Sequence, residues 1–262
     1  KRVTRIDPAT GAKSVAVTID EVSAPGGQDG LLGLALDPNS NNVYVFYTYQ
    51  DQAKGPDPMV KDPNSRYRFL YGKIARFSFD PAAGTLSNRT DIITGLTASN
   101  DHNGGRLKFG PDKKLYLTLG DQGNNQLGNF CLPVQPQRLP TAKELAAKEF
   151  ASYVGKSLRI NLDGSVPKDN PKLNGVVSHV YTLGHRNPQG LDFAPDVSDN
   201  AKQKYEQDYV ITWHGETVVA GAHLRRGRRT HLVRIHVYFD TERQQVVVAY
   251  IGRHLRDKGS AS

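Results

Sequence analysis

Short apolar alternations separated by turn residues run along most of the chain. Val43–Tyr49, Lys73–Phe79, Lys114–Leu119, Ser157–Leu162 and Val176–Leu183 are rich in β-branched and aromatic side chains, and Gly, Pro, Asn or Asp bound them. That is the pattern of β-strands. One stretch, Thr141–Tyr153, reads as a helix: Thr141 is placed to cap it, Glu144 follows three residues on, and alanines come next. The chain is therefore expected to be mostly β.

Two phrases recur at one long period. The first is a glycine, an apolar alternation, then proline and a turn residue: Gly33-Leu-Ala-Leu-Asp-Pro38-Asn39, Gly105-Arg-Leu-Lys-Phe-Gly-Pro111-Asp112 and Gly190-Leu-Asp-Phe-Ala-Pro195-Asp196. Their prolines lie 73 and 84 residues apart. The second is a strand running into an Asp-centred turn, from Val3 to Pro8, Ile74 to Pro81 and Leu158 to Gly164. Its arginines, Arg5, Arg76 and Arg159, are spaced by 71 and 83. Two phrases sharing one period predict repeated β units, and a turn proline closes a strand without spoiling the ladder. The expected fold class is all-β, an incomplete β-propeller with a small C-terminal β module. In such blades Leu34, Leu36, Leu107, Phe109, Leu191 and Phe193 are expected to be buried on successive inner strands.

Charge and histidine usage shift near residue 200. Residues 201–262 carry 11 Lys and Arg against 6 Asp and Glu, and five of the eight histidines. We divide the chain into 1–198, the partial propeller, and 199–262, a basic β-rich module of unknown type. Strands are expected in the latter at Tyr209–Trp213, Thr217–Ala220, His231–Phe239 and Val246–Ile251, split by the basic loop Arg225-Arg226-Gly227-Arg228-Arg229. A faint further copy of the second phrase surrounds Arg234. The arginine loop beside Trp213 and Tyr238 has the ingredients of a phosphate contact, but reads first as a solvated loop, so no nucleic-acid partner is expected.

Composition excludes other classes. Gly 25 and Pro 15 in 262 residues promise turns but stay below the roughly 25–30% of a disordered chain. No apolar run approaches the ~18 residues of a membrane-spanning helix. The single cysteine, Cys131, excludes an internal disulfide framework. Walker, Rossmann and Gly-x-Ser-x-Gly motifs are absent. Asn161-Leu-Asp163-Gly164 does not make an EF-hand, because Arg159 and Asn170 take its first and twelfth places. The sequence starts at Lys1 with no signal-peptide plan, so we expect a removed leader or a fragment.

Three polar loops precede the Gly-apolar-Pro strands: Gly26-Gly27-Gln28-Asp29-Gly30, Ser99-Asn100-Asp101-His102-Asn103-Gly104-Gly105 and Gly184-His185-Arg186-Asn187-Pro188-Gln189-Gly190. Sharing one place in each repeat, they would open at one end of a central channel, where small polar ligands bind. His102 is the natural acid/base, Arg186 a fixed charge for an anion, and Asp121 in Gly120-Asp121-Gln122-Gly123 a partner able to fix the imidazole tautomer. Each residue also has a plain reading: Gln28, Asn187 and Asp121 as turn residues, His102 and Arg186 as solvated loop side chains.

At these loops the chain resembles the soluble quinoprotein glucose dehydrogenases of the glucose/sorbosone dehydrogenase family. The matching segments are Gly30-Leu-Leu-Gly-Leu-Ala-Leu-Asp-Pro38, Asp101-His102-Asn-Gly-Gly-Arg-Leu, Gly120-Asp-Gln-Gly-Asn-Asn-Gln-Leu127, Gly155-Lys-Ser-Leu-Arg-Ile-Asn-Leu-Asp-Gly-Ser-Val-Pro-Lys-Asp-Asn-Pro171 and Tyr181-Thr-Leu-Gly-His-Arg-Asn-Pro-Gln-Gly-Leu191. The resemblance covers residues 1 to about 198. It implies a six-bladed propeller that binds pyrroloquinoline quinone (PQQ) and calcium, oxidises aldose sugars and works in the periplasm or outside the cell. By resemblance His102 takes the anomeric proton, Asp121 orients it, Arg186 touches quinone and substrate, Asn187 touches the quinone, and Gln28, Asp101 and Leu127 line the sugar pocket.

The family's calcium-holding stretch, Glu-Gln-Gly-Pro-like, would follow the segment matching Gly190–Pro195, and residues 197–262 contain nothing like it. Most cofactor ligands are thus not found in this chain. The matching part amounts to two to three blades of the six-bladed type. The expectation is a PQQ-dependent aldose dehydrogenase in truncated form with impaired activity. Its open sheet edges would favour self-association or a complementing chain. The alternative is a non-catalytic sugar- or protein-binding propeller fragment fused to a basic module.

Overall fold

The computed structural model describes residues 1–58, 60–123, 135–193, 210–214, 216–219, 222–226, 233–240 and 245–252. The chain divides into two compact units, Lys1–Leu191 and Asp192–Ser262.

The first unit opens with a hairpin of β1 (Arg2–Ile6) and β2 (Lys13–Thr18). An antiparallel sheet of four strands follows in sequence order: β3 (Leu31–Leu36), β4 (Asn42–Gln50), β5 (Leu70–Asp80) and β6 (Thr85–Thr97). A second sheet joins β7 (Leu107–Phe109), β8 (Leu115–Leu119), β9 (Lys156–Ile160) and β12 (Val180–Leu183). The small hairpin β10 (Lys172–Leu173) and β11 (Val176–Val177) is inserted before its last strand. The Gly-apolar-Pro phrase supplies the first strand of each sheet, β3 and β7, and the Asp-turn phrase supplies the third, β5 and β9. That third-strand phrase also lies on β1, which pairs with the following strand as β5 pairs with β6. The β1–β2 hairpin is the outer half of a further blade, and the unit is an incomplete β-propeller.

Alternation along β4 builds a core on each face of the first sheet. Tyr44 and Phe46 join Ala35, Ile74 and Leu96 in a cluster with Leu107, Leu115, Leu117, Leu158 and Ile160 of the second sheet. Val43, Val45 and Tyr47 join Tyr71, Ala75 and Phe77 on the opposite face, beneath Ala16, Ile19 and Val22. The two sheets meet closely at Gly33: a Cβ there would lie 2.2 Å from the Gly105 carbonyl oxygen.

The expected inner-strand core holds only in part. Leu107 is buried and Phe109 packs against the core, but Leu34 and Leu36 are 45% and 66% exposed. Ala35 takes the core-facing parity on β3, and the cluster on the opposite face, beneath the β1–β2 hairpin, takes in β4, β5, Leu86 of β6 and the edge of Leu31 but leaves out Leu34 and Leu36. Leu191 and Phe193 are half-buried in a segment, 190–193, that forms no strand. The helix is shorter than expected. α1 (Ala142–Ala146) starts with the anticipated capping box of Thr141 and Glu144, then ends at Ala147, followed by the left-handed Lys148 at φ 52°. Only a single 3₁₀ turn, Ala151–Tyr153, follows. The expected strand Val176–Leu183 is split between β11 and β12.

The second unit contains the hairpin of β13 (Val210–Trp213) and β14 (Glu216–Val219), and a three-stranded sheet of β15 (Ala222–Arg226), β16 (Val233–Asp240) and β17 (Gln245–Gly252). Arg225 and Arg226, expected in a loop, are strand residues of β15 paired with Arg234 and Val233.

Candidate functional site

The loop after β6 is folded by its own polar side chains. Asn103 is buried, and its carboxamide accepts from the Ser99 amide at 2.9 Å and donates to the Ser99 carbonyl at 2.6 Å. The same Nδ2 donates to the Gln28 carbonyl at 2.7 Å, while the Gln28 amide donates to the Asn100 carbonyl at 2.8 Å. The first two polar loops are thus knitted together. The Ser99 hydroxyl lies between the carbonyls of Asp101 and Gln122, at 2.8 and 3.0 Å, and shares its one proton between them, which joins the loop after β8 to the other two.

That loop carries Asp121. The Asp121 amide donates to the Arg186 carbonyl at 2.7 Å, and the Thr118 hydroxyl of β8 donates to the Pro188 carbonyl at 2.6 Å, anchoring the third loop. The loops cross at Gly120, where a Cβ would lie 1.9 Å from the His102 carbonyl oxygen and 2.9 Å from that of Arg186. His102 and Gln122 are both held at positive φ, 49° and 65°. Non-glycine residues in that region cost energy and cluster where side-chain aim matters.

His102 is buried, and its Nδ1 lies 2.6 Å from Asp121 Oδ1, which also accepts from the Gly123 amide at 3.0 Å. An ionised carboxylate only accepts, so Nδ1 donates to it, and in the neutral ring the lone pair falls on Nε2. Nε2 faces Asp101 Oδ2 at 3.5 Å, and Asp101 Oδ1 accepts from the His102 amide at 2.9 Å. Across the site the Gln28 Oε1 accepts from Asn187 Nδ2 at 3.0 Å and from Gln189 Nε2 at 3.3 Å. Asn187 Oδ1 is buried without a partner. Arg186 is exposed and has no ion pair among the described residues.

Gln28, Asp101, His102, Asp121, Arg186 and Asn187 therefore come from loops that are mutually bonded. Leu127 lies outside the described residues. Asn103, Ser99 and Gln189 are parts of the site that sequence reasoning left unassigned, although all three stand in the quoted loops. Among the described residues no three His, Cys, Asp or Glu side chains gather as a metal site, and no helix is long and apolar enough to cross a membrane.

The sequence profile described as Glucose / Sorbosone dehydrogenase matches residues 2–201. The chain is 46% identical over 198 residues to quinoprotein glucose dehydrogenase B of Acinetobacter calcoaceticus, covering 74% of this chain and 40% of that protein. An aldose sugar dehydrogenase of Escherichia coli is 28% identical over 179 residues, covering 64% and 38%. The PQQ-bound aldose sugar dehydrogenase of Streptomyces coelicolor has a similar fold, with a TM-score of 0.50 at 24% identity, over 94% of this chain and 74% of that one. The chain spans about two fifths of the length of the curated relatives it matches. Since the family profile runs through all three site loops and both four-stranded sheets, the chain belongs to the glucose/sorbosone dehydrogenase family.

Proposed function

We propose that the first unit carries the acid/base half of a PQQ-dependent aldose dehydrogenase site. The observation that carries this reading is the 2.6 Å contact of His102 Nδ1 with Asp121, which leaves Nε2 as a base turned towards Asp101. Support comes from the relatives, which include a quinoprotein glucose dehydrogenase and a PQQ-bound aldose sugar dehydrogenase.

The residues present fit the quinone. Among the described residues the Arg186 guanidinium has no ion pair and the buried Asn187 Oδ1 no hydrogen-bond partner, which suits an anionic group and a hydrogen-bond donor on it. Arg186 and Asn187 would hold it. When bound, PQQ supplies an acceptor for the hydride released from the sugar's anomeric carbon. His102 Nε2 takes the anomeric hydroxyl proton, Asp121 stabilises the imidazolium that forms, and Gln28, Asp101 and Leu127 position the ring. Calcium, which the family implies, is assigned to no residue here, and no step depends on it.

We further infer that the chain alone turns over weakly. The edge of β1 away from β2, which pairs with no strand among the described residues, and the exposed Leu34 and Leu36 on β3 border the place where the inner strands of the β1–β2 blade belong. Self-association or a complementing chain would cover them. Location in the periplasm or outside the cell follows by the same likeness. Residues 199–262 are read as a separate basic module.

The test is sugar-dependent dye reduction with PQQ and calcium added, alongside calorimetry with aldoses with and without PQQ. Dye reduction that rises with aldose and falls in His102→Ala supports the reading. Aldose binding indifferent to PQQ, with no dye reduction at any loading, would replace it by a sugar-binding fragment.

A further inference from the structure

Lys156 is a charge that neither the fold nor the proposed reaction explains. It lies on β9 directly between Leu119 of β8 and Leu183 of β12, its register partners on the two sides. The residues just beyond those partners lead to Asp121 on one side and Arg186 on the other. The side chain is 0% exposed, and no carboxylate pairs with it among the described residues. Instead Nζ donates to three carbonyl oxygens, those of Gln135, Pro136 and Val154, each at 2.9 Å. Three acceptors require the three N–H bonds of an ammonium. A neutral amine has two and would turn a lone pair towards one carbonyl.

Those carbonyls belong to the platform beneath the site. Pro136 O also accepts from the Gly184 amide at 2.9 Å. Gly155, next to Lys156, donates to the Gly120 carbonyl at 2.8 Å and accepts from the His185 amide at 3.0 Å. The Asp121 amide then closes onto the Arg186 carbonyl.

We propose that Lys156 is a positioning residue whose buried ammonium ties the 135–136 turn and the end of β9 into the platform bearing Asp121 and Arg186, so that loss of its proton loosens both. The inference rests on the site reading above. Burial, helped by the charge of Arg138, lowers Lys156 to about 8, within reach of mild alkali. The other charged groups facing it do not compete there. Arg138 is paired with Glu144 at 2.7 Å, and His185 is lowered by burial and by Lys156 itself, so it is neutral before the ammonium titrates.

The experiment is amide hydrogen exchange on the full chain without quinone or sugar, corrected for intrinsic rates, from about pH 7 to about pH 9. In the wild type, protection at Asp121, Gly155, Gly184 and His185 should fall about tenfold more than at Val45 and Ile74 of the first sheet. In Lys156→Met those four amides should be exposed at the lower pH already and show no further pH-dependent loss. Unchanged protection in Lys156→Met, or a pH-dependent loss that persists in it, overturns the proposal. If the variant does not fold, flat wild-type protection across the range overturns it alone. PQQ titration of both proteins is the second arm. Loosened amides with no quinone binding by either protein would leave the positioning role standing and remove the proposed function.

Discussion

His102 and Asp121 stand nineteen residues apart, at the ends of different loops, yet their side chains meet at 2.6 Å with the histidine backbone held at φ 49°. The Asp121 oxygen that receives Nδ1 also receives the Gly123 amide, so its position is set before any ligand arrives.

This arrangement predicts a tautomer. Nitrogen NMR on the free chain should show His102 with its neutral-form proton on Nδ1. In Asp121→Asn a carboxamide can present either N–H or C=O, and the spectrum should become a mixture. In the quinone-loaded protein the same variant should lose about 10²–10⁴-fold in kcat/KM, the range for removing support from an acid/base group. A wild-type spectrum with the proton on Nε2 would sink the assignment of the base.

A second prediction concerns acid. Arg159 is buried and holds Asp169 through two contacts of 2.8 and 2.9 Å, and Asp112 at 2.7 Å. The Arg159 hydrogen bonds lower Asp169 from 3.8 to about 2. Burial alone would raise Asp112, but Arg159, the Lys114 amide and Tyr116 outweigh it and the net shift is downward. Both folded values lie below the unfolded one, so the stabilisation is complete above about pH 4 and is lost as pH falls towards about 2. Melting curves across that window should show a steep loss in the wild type and a shallower one in Arg159→Met. Equal slopes would mean that the network contributes nothing.

The third prediction separates core from open face. Leu117→Ala, at a fully buried position shared by both sheets, should cost about 2–5 kcal/mol in denaturant unfolding. Leu36→Ala, at 66% exposure, should stay within about 0.5 kcal/mol. Sedimentation of Leu34→Lys/Leu36→Lys should show less self-association than the wild type. A large cost for Leu36→Ala in a monomeric sample would mean that something already covers β3.

Much of this was legible in the chain. Two copies of the Gly-apolar-Pro phrase and all three of the Asp-turn phrase fall on matching strands, because turn prolines and Asp turns are local signals; the copy at 190–193 forms no strand. The inward parity of β3 was not legible: Leu-Leu-Gly-Leu-Ala-Leu has no polar residue to mark the outer face. β6 went unread because seven of its thirteen positions are exposed and its start, Leu-Ser-Asn-Arg-Thr-Asp, has no apolar rhythm. The site loops were legible by their shared place before a repeat strand. Asn103 reaching Gln28, and Lys156 reaching carbonyls some twenty residues away, depend on tertiary closure that no spacing encodes.

The last prediction is about quinone loading. Arg186 is exposed, and an exposed guanidinium gives an anion little, because water screens the pair to roughly 0–1 kcal/mol. Asn187 contributes one buried carboxamide oxygen and is already committed through Nδ2 to Gln28. Arg186 is the one Arg or Lys among the residues assigned to the site, and a bound cation is often the largest local charge in such a site. PQQ should therefore bind this chain about 100-fold more weakly than it binds the full-length Acinetobacter relative, a difference of about 2.7 kcal/mol. Asn187→Leu should weaken binding further, since it removes the buried carboxamide oxygen. His102→Gln should leave the affinity nearly unchanged, because the imidazole faces Asp101 and Asp121 rather than the Arg186 loop side chains. Fluorescence titration with excess calcium measures all three. Tight, calcium-dependent binding by the wild-type chain would overturn this prediction and, with it, the inference of weak turnover.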